Sequence, residues 1–111
     1  MPEQIIKKLQ FSEPLPQMVL DGIKDTSWRI NDEKNITVDD ILSLCYNNGR
    51  EFARASVIWV KETRFKDFTE EDKEGHEKFS SDADMYSTYS RYYKIEVTPD
   101  TRVKVIKYRL I

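Results

Sequence analysis

One cysteine and one histidine in 111 residues each exclude something. A lone Cys45 cannot form an internal disulfide, so this is not a small secreted scaffold held by bridges. A lone His76 excludes a multi-histidine metal site. No apolar run approaches the ~20 residues that a membrane-spanning helix needs. The opening residues, Met1-Pro2-Glu3-Gln4, lack the basic-then-apolar pattern of a signal peptide, and the expected location is cytoplasmic. Excess positive charge is missing too, since 18 Lys and Arg stand against 20 Asp and Glu, a net charge of −2. That argues against a strongly basic, non-specific nucleic-acid binder and leaves room for a local basic patch. There is no internal repeat, low-complexity tract or linker, and no metal or cofactor is expected.

What is present fits one modest core. The chain is 39% hydrophobic and 34% charged, and its length suits a single domain over residues 1–111, read as a monomer. Residues 6–11 read as a short strand. A helix is expected to begin near Pro16, with Leu15, Met18, Val19 and Ile23 as its buried stripe and Gly22 as its left-handed stop. A strand then runs to about Ile30. Ile41 to Tyr46 is an apolar strand, and Asn48-Gly49 predicts a two-residue type I′ hairpin. The return strand spans Glu51 to about Thr63. Ala53, Ala55, Val57 and Trp59 fall on one face, and Phe52, Ile58 and Val60 on the other, as in a strand buried on both sides or bent round a barrel. Thr69 caps a short acidic helix that Gly75 weakens or ends. Ser80 or Ser81 opens another, with Met85, Tyr89, Tyr92 and Tyr93 as its stripe. Thr98-Pro99-Asp100-Thr101 is a turn before a final strand over 103–110.

The chemistry concentrates in Gly22-Ile23-Lys24-Asp25-Thr26-Ser27-Trp28-Arg29-Ile30-Asn31-Asp32. Side chains alternate along a strand, so Ser27 and Arg29 share a face about 7 Å apart, with Trp28 anchoring the opposite one. Lys24 stands just upstream. A cation, a hydroxyl and a guanidinium at one end of a small sheet suit a ligand that carries phosphate or carbonyl oxygens. A purely structural account also fits: Lys24 capping the helix, Arg29 pairing with Asp32 or Glu33, and Ser27 as an ordinary strand residue.

The same residues resemble a known family. Gly22-Ile23-Lys24-Asp25-Thr26-Ser27-Trp28-Arg29, after a helix and before a strand, resembles the G-x-K-x-x-[ST]-x-R signature of ASCH domains. Val38-Asp39-Asp40-Ile41-Leu42 resembles the family's v-G-D-x-l element, with Asp39 where glycine is usual. Residues 68–75 resemble its acidic helix ending in Glu-Gly, and residues 105–110 its closing strand. The resemblance implies an α+β fold: a small mixed or antiparallel PUA-like β-barrel with two or three flanking helices. It also implies a module for RNA, or for a nucleoside or nucleotide, with Lys24, Ser27 and Arg29 as ligand-binding residues. One bacterial branch of the family is an amidohydrolase that deacetylates N4-acetylcytidine with a Lys, a Thr and a Glu. Lys24 falls on the Lys position and Ser27 on the Thr position. For the glutamate, Glu74 is the first choice, with Glu71 and Glu77 as rivals.

Elsewhere the sequence is less specific. His76 reads as solvated at a helix end, and Cys45 as a small buried apolar group. Tyr86, Tyr89, Tyr92 and Tyr93 offer either core packing or stacking surfaces for bases. The acids between Asp67 and Glu77 read mostly as a solvated helix face. Arg102, Lys104, Lys107 and Arg109 lie on both faces of one strand and could border a phosphate-binding edge.

Overall fold

A computed structural model describes residues 6–111. In chain order the elements are β1 (Ile6–Phe11), α1 (Leu15–Leu20), β2 (Thr26–Arg29), β3 (Ile41–Tyr46) and β4 (Glu51–Arg64). A 3-10 turn (Phe65–Asp67), α2 (Glu70–Lys73), α3 (Asp82–Tyr93) and β5 (Arg102–Leu110) follow. The strands form one sheet in the order β1-β3-β4-β5-β2. Only β1 and β3 run parallel; every other neighbouring pair is antiparallel. The fold is α+β, a mixed half-barrel with three helices. Among the described residues the barrel is open: β1 and β2 are its two edges and share no ladder.

Both faces of the curled sheet are packed. Leu9, Phe11, Leu42, Leu44, Val57, Ile106 and Tyr108 fill the concave side, which α1 closes with Val19. Trp28, Ile30, Val103 and Val105 lie on the convex side under Met85 and Tyr89 of α3. Val105 and Ile106 are adjacent and both fully buried, as expected of a strand covered on two faces.

Local chemistry explains most boundaries. α1 ends in a Schellman motif, where Gly22 N–H donates to the Val19 carbonyl at 3.1 Å and Ile23 N–H to that of Met18 at 3.0 Å. Gly22 has φ +78°, the left-handed conformation this motif needs. Ile23, expected on the buried stripe, is instead 62% exposed, because that motif turns the chain off the helix face. Thr69 and Asp72 form a full capping box on α2. Ser81, not Ser80, caps α3. Asp39, standing where the family pattern has glycine, holds φ +75°, so the glycine-like backbone persists under a different residue.

Two details differ from the expectation. The β3–β4 connection is not a type I′ turn. Gly49 N–H donates to the Tyr46 carbonyl, Tyr46 N–H donates to the Arg50 carbonyl, and only Gly49 of the loop has positive φ. This is the three-residue alternative, a type I turn followed by a left-handed residue that makes a bulge. β4 also breaks strict alternation. Its ladder slips against β3 between Leu44 and Cys45 and against β5 between Val57 and Trp59. The extra residues, Phe52 and Ile58, reset the faces. Phe52 and Val60 therefore join Ala53, Ala55 and Val57 on the concave side, while Trp59 packs on the convex side. Ile58 is 52% exposed.

Candidate functional site

The open seam of the half-barrel is where the polar residues meet. A cleft of about 300 Å³ lies there, lined by Phe11 of β1, Ser27 and Arg29 of β2, Lys24, His76, Glu77 and Tyr92, among others. Its size is at the low end of the ~300–1,000 Å³ of small-molecule sites, enough for one compact ligand.

Lys24 enters from the Schellman turn and is only 3% exposed. Its Nζ donates to the Thr26 carbonyl at 2.6 Å and to Glu77 Oε1 at 2.8 Å. Burial lowers its pKa, and the Glu77 charge opposes that shift. It does not cap α1. Ser27 is buried and Arg29 half-buried. Arg29 Nε donates to Ser27 Oγ at 3.0 Å, and the guanidinium lies over the Phe11 ring, 5.7 Å from its centroid. Arg29 does not pair with Asp32, which is held by Lys104 at 2.8 Å.

Among the three glutamates weighed for this site, the side chain that reaches Lys24 belongs to Glu77. Glu74, the first choice from sequence, ends α2 with its side chain in solvent, and Glu71 is exposed as well. The turn at Gly75 makes the difference. Asp25 and Thr26 N–H groups both donate to the Gly75 carbonyl, at 2.9 and 3.2 Å, and Thr26 Oγ1 donates to the Glu74 carbonyl at 2.7 Å. The chain is thus pinned to the start of β2, and the residues after Gly75 are delivered to Lys24. Gly75 has φ +77°, and a Cβ there would sit 1.8 Å from Asp25 Oδ1.

His76 is the residue whose setting the sequence did not reveal. It is buried, and its ring stacks on Trp28 with centroids 3.5 Å apart and 7° between planes. Nδ1 lies 2.8 Å from Glu77 Oε1 and Nε2 lies 3.1 Å from the Tyr89 hydroxyl. Burial lowers its pKa below the usual histidine value, so the ring is neutral; its Nδ1 donates to the Glu77 backbone carbonyl at 2.8 Å, with the carboxylate alongside. Burial alone would raise the Glu77 pKa, but the His76 hydrogen bond and the Lys24 charge outweigh it and hold the carboxyl at about 2. The chain Lys24–Glu77–His76–Tyr89 therefore fixes one carboxylate between an ammonium and an imidazole. A lone histidine after a glycine carried no sequence signal for this. Only its partners, brought from β2 and α3, define it.

Trp28 forms the wall behind His76, with its Nε1 donating to the Asp72 carbonyl at 3.0 Å. Of the tyrosines on α3, Tyr89, Tyr92 and Tyr93 line the cleft, whereas Tyr86 packs edge-on against Phe65. Tyr92, expected in the buried stripe, is 59% exposed at the rim. Cys45 is fully buried. Among the described residues, no group of three or more His, Cys, Asp and Glu side chains is placed to hold a metal ion. No helix described is long and apolar enough to cross a membrane.

The fold, a five-stranded half-barrel with a polar cleft at its open seam, is similar to that of ASCH-domain structures. The ASCH domain of Lactobacillus crispatus JV V101 matches with a TM-score of 0.69 at 13% identity, over 95% of this chain and 79% of that one. An ASCH protein of Zymomonas mobilis, solved as a mutant, matches at 0.65 and 12% identity, over 98% of this chain and 70% of that one. A hypothetical protein matches at 0.73 and 20% identity, over 96% of this chain and its own full length. At these identities the likeness is one of fold. No protein-family model matches the sequence, and no curated protein does at a significant level.

Proposed function

We propose that this protein binds RNA or a nucleotide, holding one base in the seam cleft with Lys24, Ser27 and Arg29 as its polar contacts. The observation that carries this reading is how the cations are held. Arg29 donates to Ser27 Oγ, and Lys24 donates to Glu77 and to a backbone carbonyl. Both cations are anchored yet line the open cleft, which suits recognition of carbonyl or phosphate oxygens. Tyr92 at the rim offers a face for stacking, and such stacking is worth about 1–3 kcal/mol per base.

A second reading is favoured by one contact. Lys24 and the Glu77 carboxylate meet at 2.8 Å in the cleft that Ser27 also lines. A lysine, a hydroxyl and a glutamate are the set an amidohydrolase on N4-acetylcytidine-type nucleosides would use. Against it, the Ser27 hydroxyl is engaged by Arg29, and Lys24 is a donor to two acceptors and not a free base toward Oγ.

Ser27→Ala separates the two. In a binding module the hydroxyl supplies one hydrogen bond of about 0.5–1.5 kcal/mol, so nucleotide affinity falls about tenfold or less. In a hydrolase, turnover of N4-acetylcytidine falls by several orders of magnitude while substrate still binds. Lys24→Ala weakens function in either case. We expect the native protein to bind without turnover. Robust deacetylation that Ser27→Ala abolishes would reverse the assignment.

A further inference from the structure

Arg29 lines two cavities. Besides the seam cleft, it borders a polar groove of about 690 Å³ at the far end of β2, β4 and β5. There Arg64 of β4 and Arg102 of β5 stand directly opposite one another in the antiparallel ladder. Like charges in that position repel and destabilise the sheet. Neither arginine forms an ion pair among the described residues. Nor does Arg29, which borders the groove while its guanidinium lies over the Phe11 ring in the seam cleft, so three arginines without a carboxylate partner line this groove. Of the acids there, Asp32 is neutralised by Lys104, which leaves Glu62 and Asp67. Guanidiniums match phosphate oxygens in a planar, two-pronged way, and Arg is the residue for that role.

We infer that this groove binds a phosphate group attached to the nucleoside held in the seam cleft, with Arg64 and Arg102 as its main contacts and Arg29 as the bridge between the two. The inference rests on the base-binding reading of the seam and narrows it: the ligand carries a phosphate, as a nucleotide or as an RNA strand, and a free nucleoside fills only half of the site. A phosphate there also relieves the Arg64–Arg102 repulsion, so binding and sheet stability are linked.

The test compares dissociation constants for the four common nucleosides, their 5′- and 3′-monophosphates and a four-nucleotide RNA at one low salt concentration. At least one phosphate-bearing ligand is expected to bind tenfold or more tightly than its parent nucleoside. A monophosphate that matches the RNA assigns the groove to a free nucleotide; RNA binding much more tightly assigns it to a strand. The double variant Arg64→Gln/Arg102→Gln should lose the phosphate advantage, keep nucleoside affinity within about twofold and melt no lower than native. Glu62→Gln should strengthen the phosphate-bearing ligands alone. Equal affinity for nucleosides and their phosphates would overturn the inference and leave the base cleft standing. A phosphate advantage that survives the double variant would overturn it as well. Absence of any Lys24-dependent binding, for every ligand, would remove the base-binding reading and the inference with it.

Discussion

At the scale of single residues, the cleft works through polar side chains that burial has forced into partnership. Lys24 is a buried cation with a carboxylate at 2.8 Å, and a buried charge is tolerated only when it is paired and hydrogen-bonded. His76 is buried and lowered, Glu77 is held at about 2, and both shifts act in the same direction on stability. A group whose pKa is lower in the folded state binds fewer protons there, so acid favours unfolding. The His76 contribution is present above pH 6.5, its usual value, and is lost as pH falls below it. The Glu77 contribution is present above pH 4.5 and is lost down to about pH 2. The Glu77 loss is of order 3 kcal/mol. Thermal melting against pH should therefore fall in two steps, and His76→Phe, which keeps an aromatic ring on Trp28, should remove the upper one. A melting temperature that stays flat from pH 7 to pH 5 would show that His76 is not held neutral by the fold.

At the scale of elements, the site depends on how firmly the turn at Gly75 is fastened to β2. Gly22 and Gly75 have nearly the same φ, +78° and +77°, which makes them a matched pair. A Cβ on Gly22 meets nothing within 4 Å, whereas one on Gly75 meets Asp25 and Thr26. Gly22→Ala should show the backbone penalty alone, about 1 kcal/mol or somewhat more. Gly75→Ala should exceed it, because the Asp25 carboxylate must swing away and Thr26 Oγ1, 3.1 Å from the new Cβ, must give by a few tenths of an ångström, and it should weaken ligand binding by shifting Glu77. Denaturant titrations of the two variants provide the comparison; equal losses would mean that the contact with β2 is loose. The boundaries themselves were legible, because the Gly22 stop, the Thr69 cap and the turn at Pro99 are short-range chemistry. The faces of β4 were not. A bulge shifts the alternation by one residue, and its position depends on the partner strands.

For the whole molecule, a net charge of −2 sets a limit on nucleic-acid contact. Cations gather at Arg29, Arg64 and Arg102, while acids crowd α2 and the turn that follows. Binding of single-stranded RNA should involve two to four phosphates, so log affinity against log salt should slope at about −1.4 to −2.8. A slope that corresponds to eight or more phosphates would mean a track extending well beyond the seam and its groove.

The α+β class was implied by the family resemblance; by itself the sequence determined the elements and the presence of Lys24, Ser27 and Arg29 around one strand. Those follow from local rules: alternation along β2, caps, and a glycine where φ is positive. Tertiary structure decided which glutamate meets Lys24, that His76 is buried and not solvated, and that Arg64 faces Arg102. The physical reason is common to all three. Glu77 and His76 are placed by backbone hydrogen bonds between the Gly75 turn and β2, some 50 residues away in the chain. Backbone groups are the same in every residue, so nothing in the side-chain pattern around Glu71, Glu74 and Glu77 marks the one that will be delivered. The Arg64–Arg102 pairing is likewise a matter of register, set by the bulge at Ile58 and the ladder of β4 with β5.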